Sequence, residues 1–175
     1  GATYYYSQFF EDYVLDYVFS DVSKGVYIDV GSAEPSHWSV THYFYEKGWR
    51  GINIDPMPSY VAMYKKERPD DIFLNIGISN TEGSLTLYDC GQGCGLSTFD
   101  KQGAEKVDAS RKDVTFTEKK VPVLTMKQVL TKHPQQKIDF VNIDVEGWEK
   151  QVLESFDFNQ IKPDVFIIES TVPNT

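Results

Sequence analysis

The spacing of apolar and polar positions switches several times along this chain between a helical period and a strand period, and the switches predict the order of its elements. Phe10, Val14 and Val18 recur every four residues with Leu15 and Phe19 beside them. Residues 8–20 are therefore expected to form an amphipathic helix whose other sectors carry Glu11, Asp12 and Asp16, making residues 1–24 an N-terminal helical cap. The run Gly25-Val26-Tyr27-Ile28-Asp29-Val30-Gly31 is rich in β-branched and aromatic residues and ends in a glycine, as a buried strand feeding a turn does. Trp38, Val40, Tyr43 and Phe44 then share helical spacing, with Ser36 or Ser39 available as a cap and Gly48 as a stop.

The strand, turn and helix repeat. Residues 51–55 form a short strand closing in Asp55, Pro56 and Pro58 punctuate a turn, residues 60–68 are helical, and residues 71–76 give a third strand. Ser84-Leu85-Thr86-Leu87-Tyr88 alternates apolar and polar and reads as an extra, half-exposed strand. Residues 89–120 carry glycines early and charges late, so an irregular insertion over a site is expected there. A helix at 126–132, a strand at 138–144, a helix at 148–156 and a strand at 164–169 complete the pattern. Strands alternating with helices imply an α/β fold with a mostly parallel sheet and flanking helices.

Composition narrows the function. The 175 residues amount to one domain, and 41% hydrophobic residues supply a core. Seventeen basic against 26 acidic residues give a net charge of −9, and the lysine and arginine pairs are short and isolated, which disfavours a nucleic-acid partner. No apolar stretch approaches the roughly 20 residues of a membrane span, so the chain reads as soluble and cytoplasmic. Cys90 and Cys94, in Cys-Gly-Gln-Gly-Cys, read as two free thiols in a reducing compartment, since zinc would need two further ligands from distant histidines. The start at Gly1-Ala2 without a methionine suggests a piece of a longer chain.

In open parallel sheets ligands bind beyond the carboxyl ends of the strands, so Asp29 and Gly31, Asp55, Asn75 and Gly77, Asp144 and Glu146, and Glu169 are expected on one rim. Asp55 closes the second strand about 24 residues after Gly31, a spacing that suits an acid holding ribose hydroxyls; a turn aspartate before Pro56 is the plainer alternative. The first turn has a glycine only at its first position, which disfavours the pyrophosphate of a dinucleotide. Ser32 and Ala33 are small enough to let a ligand approach the backbone, and a following helix N-terminus favours a carboxylate, so a nucleoside with an amino-acid tail fits. Asp144 and Glu146 have three readings: a general base for a substrate hydroxyl, a divalent-metal set completed by Glu169, or acids placed at a helix N-terminus by its dipole.

Taken together, Tyr27-Ile-Asp-Val-Gly-Ser, Ser39-Val-Thr41, Gly48-Trp-Arg-Gly-Ile-Asn-Ile-Asp-Pro56, Gly95-Leu-Ser-Thr98 and Ile138-Asp-Phe-Val-Asn-Ile-Asp-Val-Glu-Gly-Trp-Glu149 resemble the FkbM-type S-adenosylmethionine-dependent methyltransferases. The resemblance implies a Rossmann-like methyltransferase fold, with further strands beyond the one ending at Glu169, and methylation of a hydroxyl on a sugar, polysaccharide or natural product. It implies that Asp29, Gly31 and Ser32 line the methionine part of the cofactor, with Ala33, Ser39 and Pro56 also in contact. By the same resemblance Asp55 holds the ribose, Asn75, Gly77 and Ile78 border the adenine, and Asp144 with Glu146 lies near the transferred methyl. The chain departs from many members in having Ser32-Ala33-Glu34-Pro35 after the first glycine. Two competing readings are a non-catalytic Rossmann-like module of a larger biosynthetic protein and a nicotinamide-dinucleotide enzyme, the latter disfavoured by the missing second and third glycines.

Overall fold

A computed structural model describes residues 1–170. Six helices and eight strands occur among them: α1 (Glu11–Val18), β1 (Val26–Val30), α2 (His42–Glu46), β2 (Arg50–Ile54), α3 (Tyr60–Glu67), β3 (Ile72–Leu74), β4 (Gly77–Ile78), β5 (Gly83–Asp89), α4 (Lys101–Ser110), β6 (Thr117–Leu124), α5 (Met126–Lys132), β7 (Phe140–Ile143), α6 (Glu149–Glu154) and β8 (Val165–Ile168). Five strands form one parallel sheet in the order β3-β2-β1-β7-β8, and β4-β6-β5 form a second, mixed sheet. The architecture is α/β and Rossmann-like, as expected. The further strands implied beyond Glu169 lie outside the described residues.

Side-chain alternation along the central strands sorts the core into two layers. Ile28, Val30, Ile52, Ile54, Val141 and Ile143 face one side and pack against Met126, Val129 and Leu130 of α5 and Val152 of α6. Tyr27 and Phe140 face the other side, where Phe44, Trp49, Leu15 and Phe19 close over them. The register pairs Asp29 with Asn53 on one neighbour and Asn142 on the other, so a polar row crosses the sheet on the aromatic face.

Three expectations are corrected. In α1 the stripe Phe10, Val14 and Val18 is turned to solvent, while Leu15 and the following Phe19 are buried beside Asp12. The cause is the Asp12 carboxylate, which accepts from the backbone N–H of Tyr6 (2.6 Å) and Ser7 (3.0 Å) and from the Ser7 hydroxyl (2.6 Å), so the acidic sector is held inward by polar bonds. Helix α2 begins only at His42, and Trp38 precedes it with a positive φ of 54°. Ser39 still acts as a cap, its hydroxyl accepting from the N–H of His42 at 3.1 Å. Residues 89–120 are not irregular throughout: α4 starts where the Asp100 carboxylate accepts from the N–H of Gln102, and β6 is already under way at Thr117. Pro122 is tolerated inside β6 because β4 reaches only Val123 and Leu124, leaving that edge open at the proline.

Candidate active site

Two adjoining cavities, of about 110 and 370 Å³, open at the carboxyl edge of the parallel sheet and share Gly31, Ala33, Tyr60, Gly95, Asp144 and Glu146. Gly31 has φ 77°, and a Cβ there would run into the carbonyl oxygen of Asp144. Only glycine lets the tips of β1 and β7 approach this closely. The N–H groups of Gly31 and Ser32 both donate to the carbonyl of Ile54, at 2.9 and 3.1 Å, which turns the chain sharply across the tip of β2.

Asp55 leaves β2 into the smaller cavity. Its two oxygens accept from the N–H of Ala33 (2.9 Å) and of Met57 (3.0 Å), and burial pushes its carboxyl up to about 6. Asp29, under the larger cavity, accepts from the Asn142 amide at 3.0 Å and is likewise pushed up to about 6 by burial. Asp144 and Glu169 end the neighbouring strands β7 and β8. Burial first, then a hydrogen bond to Glu169, pushes Asp144 up to about 9. Ala33, Trp38 and Glu146 all hold positive φ without being glycine, and all three line the cavities, so local backbone strain is concentrated here.

The expected rim is thus largely assembled: Asp29, Gly31, Ser32, Ala33, Ser39, Asp55, Pro56, Asp144, Glu146 and Glu169 line one cavity or the other. Asn75, Gly77 and Ile78 do not. The Asn75 amide donates to the backbone carbonyl of Asp55 (2.9 Å), Ile78 is buried in the core, and Gly77 lies behind the ring of Phe99. That ring, with Met57 and Leu87, supplies the apolar wall of the smaller cavity. The divalent-metal reading of Asp144, Glu146 and Glu169 is not supported, because no group of three His, Cys, Asp or Glu among the described residues could hold a metal ion.

The thiol expectation is overturned as well. Cys90 and Cys94 are joined in a disulfide, because Gly91 and Gly93 between them take positive φ and fold the loop back until the two Cα atoms stand 5.9 Å apart. Thr98, from the same stretch, donates through its hydroxyl to the carbonyl of Glu146 at 2.6 Å and ties this loop to the turn after β7.

Arg68 was missed by sequence reasoning. It closes α3 after Lys65-Lys66-Glu67, a run that reads as a solvated face, yet its guanidinium is fully buried against Asp71 at 2.8 Å. It also donates to the Tyr27 hydroxyl (2.7 Å), the Thr41 hydroxyl (2.8 Å) and the carbonyl of Pro35 (3.0 Å). Arg68 therefore clamps the segment that carries Ser39 against the polar face of the sheet. The only sequence signal was Asp71 three residues later, a spacing too common to single out.

The connection from Gly31 to Asp55 and on to Asp144 coincides with a family match: the model of the methyltransferase FkbM domain fits residues 29–175. The chain belongs to the FkbM methyltransferase family. No curated protein and no solved structure matches it. The FkbM match begins at Asp29, so Gln8, Phe9 and Glu11, which also line the larger cavity, come from a segment outside it.

Proposed function

We propose that this FkbM methyltransferase uses S-adenosylmethionine and transfers its methyl group to a hydroxyl of a sugar, polysaccharide or natural-product acceptor. The observation that carries the cofactor reading is the charge of the cleft. Asp29, Asp55, Glu146 and Glu169 line it, Asp144 beside them keeps its proton at neutral pH, and no lysine or arginine lines it among the described residues. A cationic nucleoside suits such a lining, whereas the pyrophosphate of a dinucleotide would be repelled. The residues fit the group: Asp55 is set to hold the ribose, Phe99, Met57 and Leu87 border the base, and the Gly31 turn accepts a close backbone neighbour. When bound, the cofactor supplies an electrophilic methyl.

The chain's own contribution is placement and a proton acceptor. Asp144 and Glu169 form a hydrogen-bonded carboxyl pair at the floor of the larger cavity, able to hold or release a proton beside an acceptor hydroxyl. Holding the reactants in line within the cleft supplies much of the remaining barrier reduction. The larger cavity, with Phe9 and Trp38 at its mouth, is assigned to the acceptor. Residues 1–175 act as a single methyltransferase domain in this reading. Among the described residues no helix is long and apolar enough to cross a membrane. A cytoplasmic location is part of the proposal and is tested by the state of Cys90 and Cys94 in cells.

Calorimetry of S-adenosylmethionine and S-adenosylhomocysteine on this chain tests the reading. Asp55→Ala removes the two charge-assisted hydrogen bonds proposed to the ribose hydroxyls, worth about 1.5–3 kcal/mol each, so affinity should fall by about a hundredfold or more. Unchanged affinity would sink the ribose assignment, and absence of binding by the unaltered chain would favour the non-catalytic module.

A further inference from the structure

We propose that Cys90 and Cys94 form a reversible thiol–disulfide site that shapes the wall between the two cavities and thereby sets the affinity for the nucleoside cofactor. The inference rests on the cofactor reading given above. The two cysteines of the chain both lie in this loop. The loop touches both cavities: Gly91 and Gly95 line the smaller one, and Gly93, Cys94, Gly95 and Leu96 line the larger. Its tip faces α3 across the larger cavity, which Gly93 and Tyr60 line together, Tyr60 being common to both cavities.

The base of the loop is held without the disulfide. Asp89 accepts from the N–H of Gly91 (2.8 Å) and the hydroxyl of Ser97 (3.3 Å), and is paired with Lys119 at 2.6 Å. Tyr88 and Thr98 exchange both backbone hydrogen bonds, at 2.9 and 3.0 Å. The bridge joins residues only four apart in sequence, so it constrains the loop tip and ties no distant elements together. Three glycines in the left-handed region surround it, and without the bridge each would regain wide conformational freedom. The ligand would then have to order the tip as it binds, which weakens binding without any change in its direct contacts.

The exchange is balanced. A thiolate of a small dithiol attacks one sulfur of the bridge, the S–S bond breaks, and a mixed disulfide forms. The second thiol of the reagent displaces the remaining protein sulfur, leaving the reagent as its own disulfide, while Cys90 and Cys94 take up two electrons and two protons. Gly91, Gln92 and Gly93 are exposed and both cysteines are partly exposed, so a reagent can reach the bridge.

The test is calorimetric titration of S-adenosylhomocysteine into the whole chain, oxidised and after dithiothreitol, with the thiols counted in each state. Reduction should weaken binding at least threefold, reoxidation should restore it, and the double variant Cys90→Ser with Cys94→Ser should stay weak in both conditions. Equal affinity in both states overturns the inference while leaving the cofactor reading intact. Binding in neither state overturns the cofactor reading and this inference with it. Hydrogen exchange at residues 91–97, which needs no ligand, must also quicken on reduction; unchanged exchange refutes the loop mechanism independently.

Discussion

Two glycines with similar backbones allow the cost of conformation to be separated from the cost of contact. Gly31 and Gly48 both sit at positive φ, 77° and 96°. A Cβ on Gly48 would meet nothing within 4 Å, whereas one on Gly31 would run into the carbonyl oxygen of Asp144, with the Val145 side chain 3.2 Å away. Gly48→Ala therefore carries only the left-handed penalty, about 1–2 kcal/mol. Gly31→Ala carries that penalty and an overpacking term of about 1–3 kcal/mol, because the tips of β1 and β7 must part. The expected losses are roughly 2–8 °C for Gly48→Ala and roughly 4–20 °C for Gly31→Ala in a domain of this size. Urea titration followed by circular dichroism gives the free energies, and calorimetry gives binding of S-adenosylhomocysteine, which should be lost only in Gly31→Ala. If Gly31→Ala costs no more than Gly48→Ala and still binds, the β1–β7 approach is not what shapes the cleft.

Three further predictions follow from particular side chains. Leu15→Ala should cost about 2–5 kcal/mol, while Val14→Ser should stay within about 0.5 kcal/mol; chemical denaturation that reversed this order would restore the solvent-facing stripe to the core. Arg68→Met leaves the buried Asp71 carboxylate without its counter-charge, held only by hydrogen bonds from Tyr27, Gly51 and Asn53, so it should cost about 3–5 kcal/mol. Adding Asp71→Asn should recover part of that loss, and a fully additive double variant would show that the two do not act as a pair. Burial raises Asp29 and Asp55 from their ordinary 3.8 to about 6, so the fold retains their protons where the unfolded chain releases them. Their contribution is fully present below about pH 4 and is lost as pH rises through about 6. Asp29→Asn should accordingly flatten the stability profile between about pH 4 and 6, and an equal change of unfolding free energy across that range in parent and variant would contradict the assigned burial effect.

The central strands were legible because a parallel sheet covered on both faces needs continuous β-branched and aromatic runs, and 26–30, 50–54, 140–143 and 165–168 supply them. Helix α5 was legible from end to end, its Thr125 cap and Gln128 forming a reciprocal box. Helix α4 was hidden because only Ala104 of its ten residues is buried, so no apolar stripe marks it. The inward face of α1 was misread because a carboxylate, Asp12, is what anchors it, and hydrophobic spacing carries no record of hydrogen bonds made to the preceding chain.

The site divides in the same way. Sequence by itself determined the acids and the glycine at the strand ends, since strand length and the glycine turn fix where Asp29, Gly31, Asp55 and Asp144 fall along the chain. Strand order decided which of them meet: Asp55 and Asp144 share a cavity because β1 lies between β2 and β7, with Gly31 at its tip. Only the tertiary structure decided that Asn75 and Gly77 stand behind the wall, that Arg68 is buried, and that Cys90 reaches Cys94. The physical reason is that periodicity is a property of one element, whereas burial, charge pairing and loop closure depend on which distant element arrives opposite.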